Sequence, residues 1–197
     1  MCDNGFIKEV FIMSKKVAIL YADGFEDTEA LATRDILVRA GIEIYDLRVE
    51  NNLDKDYVKA SHGINLAKFH LASDFDPSMF DAVILPGGGL GTQNLLRSVE
   101  VERYLKVLSK EHKLLCAICA APMVLGKYGY LHNKRFTCFK GCDEGLDGIF
   151  TASEVEVDDN IVTGRAMLYS VKFGLKIAEL LLGKETSDRV ARQITGI

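Results

Sequence analysis

Cys119 is the residue whose type and setting most favour chemistry. It ends a short apolar run, Leu114 to Ile118, and is followed at once by Ala120, Ala121 and Pro122. Met123, Val124, Leu125 and Tyr128 then recur at helical spacing. The pattern predicts a buried strand turning sharply into a helix, with the cysteine on the turn. Two alanines let the backbone bend tightly and a ligand approach, and proline suits a first helical turn because its missing N–H costs nothing there. A sulfur so placed faces unpaired N–H groups and the positive end of the helix dipole, which favour the nucleophilic thiolate. Serine hydrolases hold their nucleophile on a similar strand–turn–helix elbow. Taken alone, an apolar-flanked cysteine is more often core filling, and Cys116 keeps that reading.

Two further stretches could serve such a nucleophile. The glycine run Pro86-Gly87-Gly88-Gly89-Leu90-Gly91 fits neither dinucleotide nor P-loop spacing. Its backbone N–H groups could instead hold an oxyanion, or the run could be a plain turn. Glu26, Asp27 and Glu29 read as first-turn acids of a helix. One of them could point back toward Cys119, where exclusion from water would raise its pKa and let it shuttle protons. The cysteine spacings, C-x2-C at Cys116/Cys119 and C-x3-C at Cys138/Cys142, suggest zinc or a redox dithiol as rivals. Against zinc, Cys116 lies inside a buried strand and no glycine-rich knuckle follows it, so no metal is expected. His62, His70, His112 and His132 are scattered and read as surface residues.

The elements that must position these groups alternate between strands and helices. Lys16–Tyr21 reads as a central parallel strand, Glu26–Ala40 as a helix ended by Gly41, and Glu43–Val49 as the next strand. Asn51–Lys55 reads as a polar loop and Tyr57–Leu66 as a hairpin turning at His62-Gly63. Asp81–Leu85 is a second buried strand, which empties into the glycine run, and Val101–Glu111 is helical. Phe136–Thr137, Glu154–Val157 and Asn160–Thr163 are short strands, the last two paired. Helices follow at about Met167–Leu182 and Ser187–Gln193. Such alternation implies a three-layer α/β domain around a mainly parallel sheet. In such sheets ligands bind at the C-terminal strand ends, where the acids, the glycine run and Cys119 all fall.

Composition sets the outer bounds. The 197 residues fit one domain, with 48% hydrophobic and 26% charged residues as in ordinary globular proteins. A formal charge of −4 and the lack of a long basic cluster give nucleic-acid binding no support. No apolar run approaches the ~20 residues of a membrane span, and the N-terminus lacks the basic region of a secretory signal. The first 13 residues read as an appendage to one domain over 14–197, with Met13 a natural start. Five cysteines without an export signal read as reduced, cytoplasmic thiols.

Together GFEDTE (24–29), LPGGGLGTQNL (85–95) and AICAAP (117–122) resemble the ThiJ/PfpI superfamily, in the branch of the parkinsonism-associated protein deglycase and its bacterial relatives. The resemblance runs from about Lys15 to Gly183. It implies a flavodoxin-like α/β/α sandwich, usually a homodimer, and no cofactor. Residue by residue, Cys119 matches the family's easily oxidised elbow cysteine. Glu29 matches the glutamate that hydrogen-bonds that sulfur, and Gly88 the glycine whose N–H lines the pocket, with Gly89 and Ala120 as backbone neighbours. Ala120 stands where protease-like members carry histidine, which argues against peptidase chemistry. Cys138, in KRFTCFKG, stands where the deglycase branch often has a histidine. The resemblance thus implies a thiol enzyme acting on small reactive dicarbonyls such as methylglyoxal and its adducts, with Glu29 moving protons. The alternative is a redox-sensing or chaperone-like stress protein switched by oxidation of Cys119, with Cys138 or Cys142 as resolving thiol.

Overall fold

The computed structural model describes residues 14–49 and 55–197; the expected N-terminal appendage and most of the Asn51–Lys55 loop lie outside them. Apolar alternation builds the sheet. Along β1 (Lys16–Tyr21), Val17, Ile19 and Tyr21 face one core while Ala18 and Leu20 face the other, as the two-residue period of a strand requires. Helix α1 (Asp27–Ala40) follows, capped by the Glu26 side chain, which accepts from the Glu29 N–H at 2.6 Å. It ends on Gly41 in the left-handed conformation, with φ +92°.

The chain continues through β2 (Glu43–Arg48), the hairpin β3 (Tyr57–Lys59) and β4 (Asn65–Ala67), and β5 (His70–Leu71). Then come β6 (Ala82–Leu85), α2 (Gly89–Arg97), α3 (Val99–Lys110), β7 (Leu114–Ile118) and α4 (Pro122–Lys127). The last part holds β8 (Arg135–Phe136), β9 (Ile149–Phe150), β10 (Val155–Asp158), β11 (Ile161–Gly164), α5 (Ser170–Leu182) and α6 (Lys184–Thr195). The expected elements are present within a few residues. Helix α2 and strands β5 and β9 are additions: the glycine run leads into a helix rather than a simple turn.

The seven-stranded sheet has the order β10-β11-β7-β6-β1-β2-β5, and only the β10–β11 pairing is antiparallel. Ile36 and Leu37 of α1, Phe173 and Ile177 of α5 and Val190 of α6 fill one face. Leu95 of α2, Tyr104 and Leu105 of α3 and Val124 and Leu125 of α4 fill the other. This is the flavodoxin-like three-layer sandwich. Because β2 lies to one side of β1 and β6 to the other, the connections diverge at the C-terminal ends of β1 and β6. That crevice is where open α/β sheets place ligands. Among the described residues no helix is long and apolar enough to cross a membrane.

Candidate active site

Cys119 follows β7 directly and adopts φ +63°, a left-handed conformation that a residue with a Cβ rarely occupies. Such strain costs about 1–3 kcal/mol and persists only where surrounding bonds over-determine it. Here they do: the Cys119 N–H donates to the Gly164 carbonyl at 2.8 Å, the Cys119 carbonyl accepts from the Phe139 N–H at 2.8 Å, and the Ala121 N–H donates to Ile118 at 3.0 Å. Pro122 opens α4, as its position in the sequence predicts. The sulfur is half-buried on the α1 side of the sheet, whereas Cys116 is fully buried in the same core and is filling.

Glu29, on the first turn of α1, is 1% exposed. Its Oε2 accepts from the Gly87 N–H at 2.9 Å, while Oε1 is buried with no partner at hydrogen-bond distance. A Cβ built on Gly87 would lie 2.5 Å from Glu29 Oε2 and 2.9 Å from the Cys119 Cβ. Carboxyl and cysteine therefore converge on space that only a glycine leaves open. Burial, more than any other influence, pushes the Glu29 carboxyl up to about 7; the Glu26 charge adds to the rise, and hydrogen bonding with Cys119 and Gly87 opposes it.

The Cys119 thiol is pushed up as well, first by burial and then by the Glu29 charge, with the Ala120 N–H acting the other way. This corrects the expectation that the helix end alone would favour the thiolate: α4 has only six residues, and burial together with the neighbouring acid outweighs it. Cysteine and glutamate titrate as a pair. Their first proton leaves near neutrality, and the second is held far higher because two adjacent buried anions repel.

Gly88 carries φ +92°, and a Cβ there would lie 2.4 Å from the Gly24 carbonyl oxygen, so the β6–α2 turn can pack on the β1–α1 turn only through glycine. Gly89 begins α2 in open space. Ala120 is nearly buried beside the cysteine. Cys138 is fully exposure-free and packs in the core on the α2–α4 side, where burial pushes its thiol up to about 12. Its neighbour Phe139 bonds the Cys119 carbonyl through its N–H at 2.8 Å, so the segment that carries Cys138 runs beside the elbow. Cys142 is half-buried, and its charge is felt at Cys119. Its N–H bonds Phe139, whose own N–H bonds Cys119. Gly87 was missed by sequence reasoning; as the first of three glycines, nothing local marked it out.

At the rim, Asp27 Oδ2 accepts from the Ser61 hydroxyl at 3.2 Å and the His62 N–H at 3.1 Å, and lies 2.8 Å from His62 Nδ1. His62 is thus a partner of the acidic turn rather than an isolated surface residue. Bonds from His62, its ring first, hold the Asp27 carboxyl below the usual carboxylate range against the opposing effect of burial.

Known proteins are similar to this chain in sequence and in fold. The chain is 37% identical to Protein DJ-1 homolog B of Arabidopsis thaliana over 90% of its own length, which spans 41% of that larger protein. It is 27% identical to the Glutathione-independent glyoxalase DJR-1.2 of Caenorhabditis elegans, covering 89% of this chain and 93% of that one. The crystal structure of Drosophila melanogaster DJ-1beta superposes with a TM-score of 0.86 at 32% identity, covering 93% of this chain and 98% of the other. Residues 15–180 match the DJ-1/PfpI family, and the chain belongs to it.

Proposed function

We propose that this protein is a cysteine-dependent enzyme of glyoxalase or deglycase type, acting on reactive dicarbonyls such as methylglyoxal and their adducts. The observation that carries the reading is the strained Cys119 elbow beside a buried carboxyl titrating at about 7, because a general acid–base works best with a pKa near the operating pH. The Cys119 sulfur adds to the aldehyde carbon, and its proton passes to Glu29 and on to the carbonyl oxygen, which becomes the hydroxyl of a hemithioacetal and leaves Glu29 ionised. Backbone N–H groups around Gly88, with Gly89 and Ala120 as neighbours, hold the developing oxyanion. Glu29 then takes the hydrogen of the former aldehyde carbon as a proton, leaving its electron pair as an enediolate, and the adjacent carbon is reprotonated. The resulting thioester is hydrolysed by water to a hydroxy acid and free thiol. The scheme uses no cofactor. The relative named as a glutathione-independent glyoxalase supports the choice of substrate class.

Methylglyoxal consumption with D- and L-lactate readout, in wild type beside Cys119→Ser, tests this. Turnover lost in a folded variant is expected; turnover that persists sinks the proposal.

One observation favours a second reading, a redox sensor: half-buried Cys142 lies within electrostatic reach of Cys119. In that case mild peroxide converts Cys119 selectively to a sulfenic acid while dicarbonyl turnover stays negligible. A cytoplasmic homodimer belongs to the same proposal, and sedimentation of the full chain tests the dimer.

A further inference from the structure

We propose that Glu26, Asp27 and His62 form a divalent-cation site, suited to Zn²⁺, on the rim of the pocket that holds Glu29 and Cys119. Two backbone segments bring these residues together independently of their side chains. The Gly24 N–H donates to the Lys59 carbonyl at 2.7 Å, the Ser61 N–H donates to the Phe25 carbonyl at 2.9 Å, and Phe25 and Ala60 form an isolated bridge. The tip of the β3–β4 hairpin is thereby pinned against the start of α1.

One ligand atom from each of the three residues lies within 4.8 Å of the others. His62 Nδ1 is 2.8 Å from Asp27 Oδ2 and 4.0 Å from Glu26 Oε1. Two ligands on one zinc, each bound at ~2.0–2.2 Å, sit no more than ~4.2 Å apart. Closing the cluster therefore asks for a small rotation of Glu26, and its Oε2 can go on capping α1.

A second observation points to a ligand. Asp27 is 7% exposed, and all three of its hydrogen-bond donors engage Oδ2. Oδ1, on the same carboxylate, is buried with no partner. A buried carboxylate oxygen without a donor is costly. The Asp27 carboxylate lies beside the Glu26 carboxylate and the His62 imidazole, and a cation is the ligand that answers all three groups. In the metal-bound form His62 is neutral with its proton on Nε2, and the metal takes the Nδ1 lone pair.

An imidazole with two carboxylates selects a borderline ion such as Zn²⁺ over the all-oxygen preference of Mg²⁺. Three protein ligands and a His62 side chain that is 72% exposed leave coordination positions open to solvent. None of the four described cysteines takes part, so the site is separable from thiol chemistry. The inference also stands whether or not the dicarbonyl reading holds.

The test uses the full chain, stripped with chelator and with thiols capped by iodoacetamide, titrated with Zn²⁺ in a calorimeter. One saturable equivalent is expected, weakened at least about tenfold by His62→Ala and by Glu26→Gln, with zinc-dependent thermal stabilisation lost in both. His62 is exposed, so its variant keeps the fold even if Asp27→Asn does not. Absence of saturable binding in the wild type, or binding unchanged by His62→Ala, overturns the proposal.

Discussion

The most demanding consequence of the site is that Glu29→Gln should stabilise the protein, and only above acidic pH. In the unfolded chain the Glu29 carboxyl loses its proton near 4.5; in the native state burial holds it to about 7. Between those values the native state binds more protons, so its stability falls as pH rises. The favourable contribution is fully present below about 4.5 and lost through about 7. At ~1.4 kcal/mol per decade of proton affinity, the ionised native state is penalised by roughly 3 kcal/mol. Glutamine keeps an oxygen for the Gly87 N–H and does not titrate. Urea unfolding of reduced wild type and Glu29→Gln at half-unit steps from pH 4 to 8.5 gives the difference directly, since Cys119, the titrating group coupled to Glu29, holds its proton in the native state across that range. The variant should gain on wild type by roughly 3 kcal/mol across that range. A difference independent of pH would refute the claim that Glu29 is the buried, proton-holding member of the pair.

Three other outcomes follow from the same geometry. Gly87→Ala places a methyl 2.5 Å from Glu29 Oε2 and 2.9 Å from the Cys119 Cβ, so a loss of about 1–3 kcal/mol is expected by denaturation, with slower alkylation of Cys119; wild-type values for both would contradict the close approach. Cys119 alkylation by iodoacetamide should rise only with the pair's second, much higher proton loss, and Glu29→Gln should move that midpoint downward, because it removes the carboxylate charge that pushes the thiol up; a midpoint unmoved by the substitution would contradict the coupling. If peroxide-treated protein forms an internal disulfide, non-reducing peptide mapping should join Cys119 to half-buried Cys142; a Cys119–Cys138 link would contradict the full burial of Cys138.

The elbow was legible because its determinants are local: an apolar run, a cysteine, two alanines and a proline within nine residues. The convergence of three strand ends followed from parallel topology. What stayed hidden depends on contacts far apart in sequence. What sets Gly87 apart is its contact with Glu29, 58 residues away, and with Cys119. Helix α2 begins on glycines, poor helix formers, and is held by burial of Thr92 and Leu95. Strands β5 and β9 have two residues each, too short for any period to register. The bonds that tie Cys142 to Phe139, and Phe139 to Cys119, join residues too far apart in sequence for spacing to announce.

The site combines three features that each disfavour folding: a cysteine in left-handed backbone, a buried acid with an unpartnered oxygen, and a turn where Gly87 and Gly88 admit no side chain. A structural role explains none of them, since an alanine-compatible turn and an apolar residue in place of Glu29 would make a more stable domain. The strain is confined to one crevice while both cores are densely apolar. The backbone bonds from Gly164 and Phe139 that hold Cys119 in place draw on regular elements with their own burial. A sulfur held in a fixed, unfavourable conformation beside an acid kept near its own pKa requires little reorganisation when a carbonyl arrives. That lowered reorganisation is the physical reason to assign this crevice to chemistry rather than to packing.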